Sequence, residues 1–157
     1  MEGSKSRLSI LVVDDCQDAC ETLRLILKAK FPDITIYLAG NGKIGLDLFR
    51  EHLPDIVITD INMPDMNGVQ MAREICAVKP DTKLIVLTGD SGKIALETAI
   101  GGGVEIDHYI EKPIHFGTLF AAVERSLADI VRQAGLPRVT PGVAPGSGQR
   151  PVRGRSL

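Results

Sequence analysis

Pro54-Asp55-Ile56-Val57-Ile58-Thr59-Asp60-Ile61-Asn62-Met63-Pro64-Asp65-Met66-Asn67-Gly68 is the stretch from which the rest of the chain is read. The β-branched run Ile56-Val57-Ile58-Thr59 is too short for a helix. It suits a strand buried on both faces, the usual state in a parallel sheet. The run ends at a carboxylate, Asp60, and the Pro-Asp-Met-Asn-Gly turn then redirects the chain. An acid at the C-terminal end of such a strand stands where open α/β sheets bind their ligands. Asp60 is therefore the candidate acceptor of a phosphoryl group.

The same strand–turn–helix rhythm extends in both directions. Upstream, Leu8-Ser9-Ile10-Leu11-Val12-Val13 forms a first buried strand and runs into Asp14-Asp15. Apolar Ala19, Leu23, Ile26 and Leu27 recur at helical spacing from about Asp18 to Ala29, and Pro32-Asp33 ends that helix. Ile34 to Leu38 alternates as a second strand. Gly40-Asn41-Gly42 then turns the chain into a helix with Ile44, Leu48 and Phe49 as its inward candidates. Downstream, Asn67 is the expected cap of a third helix with Val69, Ala72, Ile75 and Cys76 on its buried face. Lys83 to Thr88 is a fourth buried strand. A fourth helix is expected over 92 to 99 or 100, before Gly101-Gly102-Gly103, a link with a high ordering cost. Asp107 to Glu111 is a short fifth strand. The last helix, from His115 to about Gln133, spaces Phe116, Phe120, Val123, Leu127 and Ile130 for burial.

Five such alternations predict a flavodoxin-like, doubly wound α/β fold: a five-stranded parallel sheet of order 2-1-3-4-5 with helices on both faces. The switch point of that order lies between the first and third strands, which brings Asp14 and Asp15 beside Asp60. No internal repeat is visible. Residues 7–134 form the expected domain. Residues 135–157 read as a basic, Gly/Pro-rich disordered tail or linker, too short and too aperiodic for a helix-turn-helix.

Bulk properties narrow the classes of function. At 157 residues and 44% hydrophobic composition the chain can build one ordinary core. With no Trp, that core must be mainly Ile, Leu, Val and Ala. No run is long enough to cross a bilayer, and the polar N-terminus lacks a signal-peptide core, so the cytoplasm is the expected compartment. The net charge of −2 conceals an asymmetry. The tail holds four arginines (138, 150, 153, 155) and no acid, which leaves 14 basic and 20 acidic residues in 1–136. An acidic body argues against nucleic-acid binding by the domain itself; the basic tail could touch nucleic acid or membrane lipids, but a solvated linker is the expected state. The three cysteines, Cys16, Cys20 and Cys76, show no zinc spacing. Cys16 and Cys20 could pair as a redox couple, but reduced helix thiols, with Cys20 in or near the core, are the expected state.

Three convergent carboxylates repel one another unless a cation intervenes. A hard dication, Mg²⁺ with Mn²⁺ as its substitute, suits a few carboxylates, waters and phosphate oxygens. Lys112 at the end of the fifth strand can offset phosphoryl charge, Thr88 can donate a hydroxyl, and Gly89 leaves the approach open. Each residue alone has an ordinary role as cap, strand residue or solvated charge. Their occurrence in this order at four strand ends carries the argument.

The ensemble Val12-Val13-Asp14-Asp15, Asp60 to Gly68, Leu87-Thr88-Gly89 and Tyr109-Ile110-Glu111-Lys112-Pro113 resembles the response-regulator receiver domain of two-component signalling, over about residues 7 to 133. The resemblance implies that Asp60 takes a phosphoryl group from a sensor histidine kinase or a histidine phosphotransfer protein. It implies that Asp14 or Asp15, Asp60 and the Asn62 backbone carbonyl hold Mg²⁺, with Asp15 the commoner direct ligand. It also implies a cis Lys112–Pro113 bond and a switch built on Thr88 and Tyr109. That switch reshapes the face of the fourth helix, fifth strand and last helix, where a downstream protein or a second copy would bind. Asn62 and Asp90, each two residues beyond a site residue, are candidates to tune the phosphate lifetime. The interval from Thr88 to Lys112 is longer than usual for the family. His115 reads as a helix-start residue rather than a second phosphate site. Such a protein is a signalling switch, not a multiple-turnover enzyme. The alternatives are a receiver module of a longer transcription factor or output enzyme and, from another class, a metal-dependent phosphohydrolase.

Overall fold

Strand β3 (Ile56–Asp60) is buried along its whole length and sits at the centre of the sheet in the computed structural model. The structure describes residues 8–61, 63, 66, 68–89 and 106–134. Around β3 lie β1 (Ser9–Val13), β2 (Thr35–Ala39), β4 (Lys83–Thr88) and β5 (His108–Glu111). All pairings are parallel, in the order β2-β1-β3-β4-β5. The register sets Val13 opposite Thr59, Asp60 opposite Leu87, and Thr88 opposite Glu111. The expected order 2-1-3-4-5 is thus the observed one. The C-terminal ends of β1, β3, β4 and β5 are brought to one edge.

Alternation along the strands splits the core into two layers. On one face, Leu11, Val13, Val57, Leu84 and Val86 pack with Leu46 and Phe49 of α2 (Gly42–His52) and with Val69, Met71, Ala72 and Ile75 of α3 (Gly68–Val78). Ile10, Val12, Ile56, Ile58, Ile85 and Leu87 point the other way and are equally buried. That face takes α1 (Gln17–Lys30) and, up to Leu127, the C-terminal helix (Phe116–Ala134); the ring of Phe31, just past α1, stands edge to face with Phe120, 6.1 Å away. The chain divides into two units, Met1–Leu127, which carries the sheet, and Ala128–Leu157. In the second, Arg132 pairs with Asp129 one turn back along the helix.

Two helix faces differ from the sequence expectation. In α2, Ile44 is 46% exposed rather than inward, and Leu48 is half-buried. The buried row is Gly42, Gly45, Leu46 and Phe49. A count of apolar side chains overlooks glycine, yet here glycine sets the phase. A Cβ on Gly45 would lie 2.9 Å from Val13 Cγ2, so the backbone itself packs on the sheet. In the C-terminal helix, Phe116 is exposed, and Leu119, Ala122, Val123 and Ser126 form the buried row. Among the described residues the Ser126 hydroxyl has no hydrogen-bond partner.

The helix ends follow local chemistry. Asn41 caps α2, its Oδ1 accepting from Ile44 N–H at 2.8 Å. Leu53 closes the helix in a left-handed conformation, φ 49°. Among the described residues no helix is long and apolar enough to cross a membrane. The predicted fourth helix, the Gly101–Gly103 link, the Asn67 cap and the 135–157 tail lie outside the described residues.

Candidate functional site

Asp60 is the last residue of β3 and is 6% exposed. Its neighbours on the sheet edge come from β1, whose strand ends at Val13, so Asp14 is the first residue to leave the hydrogen-bonded ladder. Asp14 stays tied to the sheet by its own N–H, which donates to the Ala39 carbonyl at 3.1 Å. Its side chain turns back to accept the Cys16 N–H at 2.9 Å, just ahead of α1. Cys20, one turn into α1, is buried and points its Sγ at the Asp14 carbonyl, 3.3 Å away. Burial pushes its thiol up to about 11, so it stays protonated and can serve as donor. Cys16, by contrast, is exposed, and all three cysteines are free thiols.

Asp14, Asp15 and Asp60 each bring a carboxylate oxygen within 4.8 Å of the others. Asp14 and Asp60 are buried and Asp15 is exposed. Burial raises the Asp14 pKa above the ordinary carboxylate value; the Cys16 N–H opposes that shift, and the neighbouring Asp60 charge adds to it. From the end of β5, Lys112 reaches into the cluster: its Nζ donates to Asp60 Oδ2 at 2.8 Å and lies 3.9 Å from Asp14 Oδ2. Burial lowers the Lys112 pKa, but the hydrogen bond to Asp60 and the three acidic charges outweigh it and carry the pKa above its usual value. The ammonium is therefore held charged. The Lys112–Pro113 peptide bond is cis.

Thr88 ends β4 and is 1% exposed. Its hydroxyl donates to the Gly89 carbonyl at 3.0 Å. Among the described residues, a Cβ on Gly89 would meet nothing within 4 Å. Tyr109 in β5 is 60% exposed. Beside Lys112 a groove of about 320 Å³ opens, lined by Asp18, Ala19, Thr22 and Leu23 of α1 and by Pro113, Ile114 and Phe116. Asn62 and Asp90 lie outside the described residues. Asp14, Asp15, Asp60, Thr88, Gly89 and Lys112 thus come from four adjacent strand ends.

The donor set fits a hard dication. It is all oxygen, two of its acids are shielded from water, and one is open to it. Three carboxylates share the one Lys112 ammonium, which bonds Asp60 and lies 3.9 Å from Asp14. Asp14, Asp15 and Asp60 are the residues that would hold Mg²⁺.

Fold and site together define a class: a doubly wound parallel sheet with an acidic pocket at its switch point and a lysine facing the central acid. The model of the response regulator receiver domain matches residues 10–124, and the chain belongs to that family. It is 32% identical over 135 residues to the transcriptional regulatory protein ZraR of Escherichia coli O157:H7, covering 85% of this chain and 30% of that protein. It is 28% identical to the cell cycle transcriptional regulator CtrA of Caulobacter vibrioides, covering 74% of this chain and 48% of that one. The chain therefore spans a third to a half of the curated relatives it matches. Among solved structures, a response regulator receiver domain protein from Clostridium thermocellum superposes with a TM-score of 0.72 at 26% identity, covering 80% of this chain and 98% of that one. The protein is a two-component signalling receiver, a kind of domain found in these relatives within longer transcription regulators.

The sequence reading missed residues that contribute no functional group. Gly42 and Gly45 let α2 approach its neighbours closely: a Cβ on Gly42 would meet Met66, and one on Gly45 would meet Val13 and Met71. Their signal was available only in the positions of the glycines.

Proposed function

We propose that Asp60 accepts a phosphoryl group from a phosphohistidine on a sensor kinase or phosphotransfer protein. The observation that carries this is the 2.8 Å contact of Lys112 with Asp60 inside a three-carboxylate cluster. An Asp60 oxygen attacks phosphorus in line, the P–N bond breaks, and the donor imidazole leaves with the electron pair. A bound Mg²⁺, held by Asp14, Asp15 and Asp60 with the expected Asn62 carbonyl, would supply positive charge against the phosphoryl oxygens. Lys112 shifts from the Asp60 carboxylate to a phosphoryl oxygen. Thr88 turns its hydroxyl from the Gly89 carbonyl to another. Gly89 leaves the approach clear, and the groove beside Lys112 gives the donor protein a surface next to the acceptor.

The switch follows from the same groups. Phosphorylation adds about −1.5 to −2 charges and strong acceptors. Thr88 moves toward them, and exposed Tyr109 turns into the space it leaves. This shifts the population of two states of the β5 face rather than creating a new one. Asn62 and Asp90 tune the lifetime of the phosphate by placing or excluding water. The downstream target is a protein that reads this face. A second reading, a receiver module of a longer transcription regulator, is favoured by the share of each relative that the chain spans.

Incubation with acetyl phosphate and Mg²⁺, followed by intact-protein mass spectrometry, tests the acceptor. One labile phosphoryl group is expected on the wild type and none on Asp60→Asn. Persistent labelling of Asp60→Asn, or multiple turnover on simple phosphate esters, would overturn the assignment.

A further inference from the structure

We propose that Cys20, one turn into α1, is a positioning residue for the acid pocket: its thiol fixes the peptide unit that joins Asp14 to Asp15. This rests on reading those two acids as ligands of a bound dication. Cys20 is 4% exposed, and its Sγ lies 3.3 Å from the Asp14 carbonyl oxygen and 3.6 Å from that of Ala39. The Ala39 oxygen already accepts the Asp14 N–H at 3.1 Å, so the single thiol proton goes to the nearer acceptor, Asp14. A peptide unit is planar, and the Asp14 carbonyl belongs to the unit between the two acids. The direction of that carbonyl sets ψ of Asp14 and φ of Asp15. Those two angles set how the two carboxylates stand to each other.

The other anchors of Asp14 are its N–H, on Ala39, and its Oδ1, which accepts the Cys16 N–H at 2.9 Å. Neither acts on the carbonyl side, where Asp15 departs. Asp15 is exposed, yet it keeps a carboxylate oxygen within 4.8 Å of those of Asp14 and Asp60. Cys20 holds the carbonyl from a rigid support. Its own N–H donates to the Cys16 carbonyl at 3.1 Å, and Leu23 and Leu27 are buried along the same helix. An apolar side chain at position 20 would fill the space and leave the carbonyl unheld.

The test is a Mg²⁺ titration of the reduced, unphosphorylated 157-residue chain, read by thermal unfolding. The Mg²⁺ concentration at half-maximal stabilisation should rise about tenfold in Cys20→Ala and in Cys20→Val, the low end of the range for groups that orient metal ligands. Cys20→Ser restores a donor and should bring the midpoint back to within about twofold of the wild type. Leu27→Ala truncates the core two turns further along α1; it should lower the metal-free Tm and leave the midpoint in place. The Cys20 variants change the metal-free Tm as well, so each midpoint is read against that variant's own metal-free melt. A wild-type midpoint in both Cys20→Ala and Cys20→Val overturns the proposal while the dication reading stands. An equal midpoint shift in Cys20→Ser or in Leu27→Ala overturns it too, because size or packing would then be the cause. If the wild type itself fails to respond to Mg²⁺, the dication reading falls, and the role of Cys20 falls with it.

Discussion

The two ends of the sheet use the same residues, aspartate and lysine, to opposite purposes. At the N-terminal end, Asp55 accepts the Ser9 N–H at 3.0 Å and faces Lys79 at 3.9 Å. Asp107 accepts the Leu84 N–H at 2.8 Å and faces Lys83 at 3.8 Å. Each acid there accepts a strand amide and faces an ammonium, Lys79 being shared with Asp81 at 3.5 Å, so its charge is met locally and it staples neighbouring strands. At the C-terminal end, three acids converge on Lys112. Matched acids hold a fold together; three crowded acids around one ammonium suit a cation as a further partner. The difference lies in partners per charge, not in residue type.

Substitutions at the two ends should therefore separate function from stability. The largest effect is expected at Lys112. Lys112→Met should slow phosphoryl acceptance from acetyl phosphate by about 10²-fold or more, the scale of removing one preorganised donor. A rate within a fewfold of wild type, measured by mass spectrometry over time, would break the comparison.

Asp14→Asn comes next. The folded-state pKa of Asp14 is raised, chiefly by burial, so folding favours its protonated form. Its contribution to stability is present below the ordinary carboxylate pKa and is lost as pH rises through the raised value. Metal-free Asp14→Asn should thus be more stable than wild type at neutral pH, with Tm higher by roughly a few degrees. It should lose most of its response to Mg²⁺. Paired melting curves at pH 4 and 7 check the sign, because the advantage should shrink at the lower pH.

Asp107→Ala should do the opposite. It leaves the Leu84 N–H and the largely buried Lys83 without their partner, at a cost of about 1–3 kcal/mol in urea unfolding. Its Mg²⁺ midpoint should match the wild type. The smallest effect is expected at Ser126. Its buried hydroxyl has no partner among the described residues, so Ser126→Ala should stabilise by about 1 kcal/mol in the same assay.

Much of this architecture was legible in the order of residues. Short β-branched runs ending in Asp14, Asp60 and Thr88 have one reading, because a buried strand must stop where a charged or turning residue begins. The strand order followed from the alternation and its handedness. The phase of α2 was not legible: Ile44 looked inward because large apolar side chains were counted, whereas Gly42 and Gly45 let the backbone itself come inward. Phe116 misled in the same way at the start of the C-terminal helix, where the buried row is shifted to Leu119 and Val123. The roles of Asp55 and Asp107 were equally hidden. Their amide partners, Ser9 and Leu84, are 46 and 23 residues away, and no local pattern announces them.

One consequence of the contrast between Cys16 and Cys20 is practical. A maleimide dye should attach to the exposed Cys16 thiol and spare Cys20, sealed against the Asp14 carbonyl. In a chain without tryptophan, that offers an optical readout one residue from Asp15, with half-buried Cys76 replaced beforehand.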